Sequence, residues 1–173
     1  MTEQQLEEYF TGIATDLKDI GHTPDAPAFY RIKDAMDLDE FDDAVRNMTA
    51  GVCLLLETGE SNIGSYDSQT DRLRIGLHVL KHTTEDFDDI NAARDFAKAA
   101  LLKIVSRIRL DCKGKFERTN GQDGPLRQLA TVFSTDGKLS NMTAIDGNWY
   151  GKSMYFDFAV PLDITYNTED WNA

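Results

Sequence analysis

The chain has 173 residues, a length typical of one domain that buries a substantial core. Hydrophobic residues make up 41% of it and charged residues 28%, which excludes a disordered composition. The formal net charge is −12, from 30 acidic and 18 basic residues. This imbalance argues against a groove that binds the nucleic-acid backbone, because such grooves need clustered lysine and arginine.

The N-terminal stretch is acidic and reads MTEQQLEEYF, so it does not predict a signal peptide. No apolar run approaches the roughly 18 residues that span a bilayer, and we expect no membrane contact. The two cysteines, Cys53 and Cys112, are too few for a disulfide scaffold and are expected to be reduced, structural thiols. These features predict a protein made in a cytoplasm.

The first predicted element is an amphipathic helix near the N-terminus, which Gly21 is expected to end. Acidic residues in its early turns suit the positive end of the helix dipole. Residues 22–50 are read as a possible insertion or extension, in which residues 37–45 (DLDEFDDAV) look like a short acidic helix. The apolar stripe of the first helix comprises Leu6, Tyr9, Phe10, Ile13, Leu17 and Ile20.

Two strands are predicted next. Residues 52–57 read VCLLLE, a continuous apolar run that suits a strand buried on both faces. Residues 72–82 read RLRIGLHVLKH and alternate between apolar and polar side chains, which is the pattern of a half-buried strand. The segment between them, residues 58–71, is rich in Gly, Ser, Asn and Asp and predicts a long polar contact loop.

A second amphipathic helix is predicted from Ile90 to Leu110. Acids precede it and basic residues crowd its end, as the helix dipole favours. Two alanines keep half of its apolar stripe shallow, so that a packing partner can approach closely. The stripe comprises Ile90, Ala93, Ala97, Leu101, Ile104 and Ile108.

The remaining sequence predicts a second long polar loop at 113–125 and strands at 126–134, 139–145 and 151–167. Tight turns are predicted at 135–138 (TDGK) and within 146–151 (DGNWYG). The last strand has one apolar side and one mixed side. The whole order predicts a single α+β domain over residues 1–173, with a mostly antiparallel sheet, an N-terminal helix and one long amphipathic helix packed across the sheet.

Metal sites are not predicted. The acids of residues 37–43 lack the glycine that an EF-hand loop needs at its sixth position, which is Asp42 here, so a solvated acidic helix is the better interpretation. His78 and His82 would share a metal on a helix, but on a strand this spacing separates them by about 13 Å.

Catalytic and cofactor motifs are not found either. The sequence has no G-x-S-x-G elbow, no Walker loop and no dinucleotide fingerprint, and neither cysteine has a catalytic signature. An enzyme would have to depend on a carboxylate pair that the sequence does not reveal. We therefore predict a protein that is not an enzyme, with no catalytic residues and no cofactor.

Aromatic residues cluster near the C-terminus, where lysine and arginine are scarce. Base stacking normally accompanies interleaved basic residues, so a core or subunit-interface role is favoured over nucleic-acid binding. The candidate subunit-interface residues are Trp149, Tyr150, Tyr155, Tyr166, Trp171, Ile63 and Tyr66.

The order of elements resembles that of the tail-terminator and head-to-tail neck-connector proteins of tailed bacteriophages. An N-terminal helix, two strands joined by a long loop, one amphipathic helix and closing strands cover most of the chain. The closing stretch YFDFAVPLDITYN, followed by TEDWNA, also resembles these proteins. No residue motif defines the family, and residues 22–50 depart from its minimal pattern.

The resemblance implies a virion structural protein that forms a ring, with a hexamer as the expected form, between the tail tube and the neck. Its partners would be further copies of itself, adjacent tail-tube and neck proteins, and DNA that passes through the lumen without specific binding. The loops at 58–71 and 113–125 would reach adjacent rings. The alternative, supported by the net charge alone, is a small acidic inhibitor that mimics nucleic acid.

Overall fold

The computed structural model describes residues 3–33, 43–46, 48, 50–63, 70–112, 132–143 and 148–161. Side chains are described within these ranges except at 60–63, 70, 132–137, 160 and 161. The helices and strands follow one another as α1 (Glu3–Asp16), β1 (Phe29–Ile32), β2 (Val52–Ile63), β3 (Thr70–His82), α2 (Phe87–Cys112), β4 (Val132–Thr143) and β5 (Trp149–Pro161).

The strands form one sheet in the order β1-β2-β3-β5-β4. β1 pairs with β2 in parallel, and the other three pairings are antiparallel. Helix α2 packs on β3 and β5, while α1 packs beside β1 and β2. The predicted α+β class, with a mostly antiparallel sheet and a long helix across it, is confirmed.

Helix α1 is shorter than its sequence period predicts. It ends at Asp16, and the amides of Ile20 and Gly21 both donate to the carbonyl of Leu17, closing a turn. Gly21 has a φ of 64°, a conformation that glycine adopts without strain. The apolar stripe nevertheless continues past the helix, because Ile20 is buried in the same core.

The predicted long loop at 58–71 is wrong over most of its length. β2 and β3 continue to pair beyond the apolar core, with Ile63 opposite Asp71. The register shifts between Thr58 and Ser61, which marks a bulge. Polar composition predicts a loop, but in this segment the polar residues lie in two paired strands that extend the β2–β3 hairpin. Residues 64–69 lie outside the described residues.

The tight turn predicted at 135–138 is also wrong. β4 runs continuously through it, and the pairing with β5 shifts register between Thr135 and Leu139. Turn residues therefore form a bulge within one strand instead of joining two. Of the other predicted turn, at 146–151, residues 149–151 belong to β5 instead, Asn148 has a φ of 56°, and 146 and 147 lie outside the described residues.

β1 was not predicted. Its four residues lie within the segment interpreted as an insertion, and they pair with β2 far along the chain. Residues 43–46 are helical, which agrees with the end of the predicted acidic helix, whereas 34–42 lie outside the described residues. The same is true of the predicted loop at 113–125, of the strand residues before Val132, and of the closing stretch beyond Pro161.

The sheet separates two hydrophobic clusters. β2 contributes to both, since Cys53 to Leu56 are all fully buried, as its apolar run predicted. Alanines at 93, 97 and 100 of α2 are buried and let the helix backbone approach the strands closely. The larger cluster fills the helix side and includes Phe10, Leu54, Leu77, Leu101, Ile104, Met154, Phe156 and Phe158; the smaller, on the opposite side, comprises Ile32, Val45, Cys53, Leu55, Leu80 and Trp149.

Within the described part of the chain, neither helix combines the length and the apolarity that crossing a membrane requires.

Candidate functional site

Three polar side chains meet on the face of the sheet opposite α2. Glu57 of β2, His78 of β3 and Tyr155 of β5 share one carboxylate oxygen: His78 Nε2 lies 3.0 Å from Glu57 Oε2, and the Tyr155 hydroxyl donates to the same oxygen over 2.9 Å. The ring of Tyr155 stands edge-on to His78, with centroids 5.8 Å apart. We call these residues the polar triad.

Gly76 makes room for the polar triad. A Cβ at this position would lie 2.8 Å from Glu57 Oε2, 2.8 Å from Tyr155 Cε1 and 3.0 Å from His78 Nε2. Each member of the triad therefore occupies part of the space above the glycine. A glycine inside the alternating pattern of β3 was the sequence signal of this close approach.

The polar triad connects three strands through side-chain hydrogen bonds. His78 is fully buried, whereas the side chain of Glu57 is 15% exposed. His78 Nδ1 has no hydrogen-bond partner among the described residues. Because one carboxylate oxygen of Glu57 bonds both His78 Nε2 and the half-buried Tyr155 hydroxyl, side chains as well as backbone link β2, β3 and β5.

The candidate interface residues do not lie in one common environment. Trp149 is 6% exposed and belongs to the smaller core cluster, and Tyr155 lies on the same face in the polar triad. Tyr150 points to the opposite face of β5, by the alternation of strand side chains. The backbone of Ile63 ends β2, while Tyr66, Tyr166 and Trp171 lie outside the described residues. The interface role of all seven stays a prediction.

A second polar contact lies between the two helices. The carboxylate of Asp111, near the end of α2, accepts a hydrogen bond from the Tyr9 hydroxyl and another from Arg107 Nε, both over 2.8 Å at Oδ2. Asp111 is buried, and its ion pair with Arg107 raises the pKa of the guanidinium. Burial, followed by the bond to Asp111, raises the pKa of Tyr9 well above its usual range, so its hydroxyl stays protonated as a donor.

The histidines that the spacing argument separated are in different surroundings on β3. His78 is buried in the polar triad, whereas His82 is exposed and stands edge-on to Trp149, with centroids 5.4 Å apart. Among the residues that the structure describes, no three His, Cys, Asp or Glu side chains are placed to hold a metal ion.

Both cysteines are free thiols in protective surroundings. Complete burial raises the pKa of Cys53 far above its usual value, and burial, followed by repulsion from Asp111, raises the pKa of Cys112 to about 11. Because the thiolate is the reactive form, we expect N-ethylmaleimide at pH 7.5 to modify Cys112 about a hundredfold more slowly than an ordinary exposed cysteine. Cys53 should react only on unfolding.

Intact-mass spectrometry over a time course measures both rates. The same chain in concentrated urea is the control, in which both thiols should react quickly. Rapid modification of Cys53 under native conditions would contradict the packing of the smaller core cluster.

Sequence reasoning missed the polar triad and the Tyr9–Asp111 contact. Arg107 and Asp111 are four residues apart on a helix, so that pair was readable from spacing. No family model matches this chain, and no curated protein is significantly similar to it.

Proposed function

We propose that this chain is a virion structural protein that assembles as a closed ring, in the role of a tail terminator or head-to-tail connector that joins the tail tube to the neck. It would act through assembly and not as an enzyme. The resemblance in element order supports this proposal, and an unpaired edge of the sheet in the described structure supplies the surface for it.

The edge strand β4 is the surface through which we propose that neighbouring copies contact each other. It spans 12 residues and pairs with β5 on one side, while no described strand lies on its other side. Unpaired N–H and C=O groups along such an edge are a template for another chain. Lys138, Asn141 and Thr143 are exposed along it. If β4 of one copy contacts a different surface of the next, the contact is head-to-tail, and such contacts form a ring when the rotation between copies closes.

The distribution of charge suits a ring around DNA. Glu85, Asp86, Asp88 and Asp89 are all exposed where α2 begins, and they extend the acidic surface of a chain whose net charge is −12. A lumen lined by carboxylates repels the phosphate backbone, so DNA would pass without binding. The same charge is what the alternative, an acidic mimic of nucleic acid, would need.

Native mass spectrometry and negative-stain microscopy test the proposal. We expect a discrete ring, with six copies of the 19.5 kDa chain giving about 117 kDa. Replacing Asn141 and Thr143 together with lysine should shift the chain to monomers, because like charges along an edge oppose strand addition. The matched control places lysines at Ala99 and Ser106, exposed positions of α2.

Three outcomes would contradict the proposal or the contact that it assigns. A chain that stays monomeric up to high micromolar concentration would overturn it. A monomer or dimer that competes with DNA for a basic DNA-binding protein would instead favour the acidic mimic. Equal loss of assembly in the β4 and α2 lysine variants would show that β4 is not the contact.

A further inference from the structure

A groove between α1 and α2 is separate from the surfaces considered so far. It has a volume of about 320 Å³, within the lower range for small-molecule sites, which often lie between helices. α1 lies beside β1 and β2, away from the β4 edge. We call the groove between α1 and α2 the helix groove. Its lining residues are Glu8, Tyr9, Gly12, Ile13, Asp16, Leu17, Lys103, Ile104, Arg107 and Asp111.

Gly12 is the feature of the helix groove that packing does not explain. It lies inside α1, where glycine destabilises a helix by about 1 kcal/mol relative to alanine. A glycine between packed helices usually allows close approach, yet a Cβ at Gly12 would meet nothing within 4 Å. Its φ is not in the left-handed region either. The missing side chain therefore enlarges the groove without serving any described contact.

The helix groove combines apolar walls with surplus negative charge. Ile13, Leu17 and Ile104 supply the apolar surface. The cations are already matched, since Arg107 pairs with Asp111 and Lys103 with Asp19 outside the lining. Glu8 and Asp16 remain, both exposed and without an ion pair among the described residues; Glu8 accepts a hydrogen bond from Gln4 Nε2 over 3.0 Å, and the charge of Asp16 contributes to raising the pKa of Arg107.

We propose that the helix groove binds a small amphipathic monocation, with an apolar body seated over Gly12 and an ammonium head near Asp16, one turn further along α1. Charge complementarity favours a cation over an anion, because two carboxylates remain after the internal ion pairs are counted. The apolar walls favour an alkyl or aryl body over a hydrated metal ion. The hydrogen bonds that Tyr9 and Arg107 donate to the buried Asp111 hold α1 and α2 together at one end of the groove.

Protein-observed NMR titration with phenethylammonium tests this proposal on the full chain. We expect saturable shifts of the Gly12 and Ile104 amides. The uncharged analogue 2-phenylethanol should bind about tenfold more weakly, and the anion phenylacetate more weakly still. The three probes share one ring, so they separate the contribution of the charge from that of the apolar body.

Substitutions at Gly12 link binding to the groove. Gly12→Leu should weaken phenethylammonium binding at least about tenfold by filling the space, while Thr15→Leu, on the exposed side of α1, should leave it unchanged. Gly12→Ala should raise the thermal midpoint, because alanine favours the helix. Asp16→Asn should weaken binding about threefold and reduce its dependence on salt.

These binding measurements test the helix-groove proposal independently of whether the chain assembles as a ring. Saturable binding that Gly12→Leu removes supports the proposal whether the chain is a ring or a monomer. The proposal fails if phenethylammonium gives no saturable shifts, if phenylacetate binds as well, or if Gly12→Leu binds normally while folded, as its amide spectrum would report.

Discussion

Replacing Gly151 with alanine is expected to prevent stable folding. A Cβ at this position would lie 1.8 Å from the carbonyl oxygen of Val79 and 2.9 Å from the Cα of Leu80. Both are backbone atoms of β3, so no side chain can rotate away. Gly151 also sits in the middle of the sheet, paired with Leu80 on one side and Met142 on the other. Overpacking against flexible groups costs about 1–3 kcal/mol, and a backbone clash should exceed that.

Urea unfolding followed by circular dichroism measures this loss. Gly51→Ala is the matched control, because a Cβ there meets nothing within 4 Å and the residue is exposed in a bend before β2. It should change the free energy of unfolding by less than about 1 kcal/mol. A Gly151→Ala chain with an unchanged unfolding midpoint would show that β3 and β5 do not approach as described.

The parts of the fold that sequence predicted are those with a local period. α2 follows its apolar stripe from Ala93 to Ile108, and β3 forms where its alternation predicts a strand. The half-buried character predicted for β3 is wrong between Ile75 and Leu80, where both faces of the strand are buried. The parts that it missed depend on distant pairing. β1 has four residues, too few for a period, and it exists because Phe29 to Ile32 find Leu54 to Glu57 in parallel. The bulges were missed because glycine and polar residues occur in turns and in bulges alike, and only the pairing with the neighbouring strand distinguishes the two.

The polar triad lay beyond sequence reasoning because its members come from three strands. Glu57 closes an apolar run, and His78 and Tyr155 each alternate normally within their own strands. Only the register, which places Glu57 opposite Gly76 and Gly76 opposite Tyr155, brings their side chains over one glycine. The individual signals, a glycine in a strand and a buried-strand histidine, were present without the pairing that joins them.

Replacing Glu57 with leucine is expected to destabilise the chain strongly. The substitution would leave the fully buried His78 Nε2 and the Tyr155 hydroxyl without their shared acceptor. An unsatisfied buried polar group costs about 1–3 kcal/mol, so the loss should be about 2–4 kcal/mol. Glu57→Gln keeps an acceptor oxygen at the same place and should cost less. Urea unfolding of the three proteins side by side gives the comparison.

The triple variant Glu57→Leu, His78→Leu, Tyr155→Phe distinguishes the cost of unsatisfied hydrogen-bond donors from the cost of lost side-chain packing. If the cost of Glu57→Leu comes from donors left without their shared acceptor, removing both donors as well should recover most of the lost stability, because donors and acceptor are then removed together. If the three changes are instead additive, the triple variant should be the least stable. Additive losses would mean that each side chain matters for its packing over Gly76, and that the shared carboxylate does not tie the three strands together.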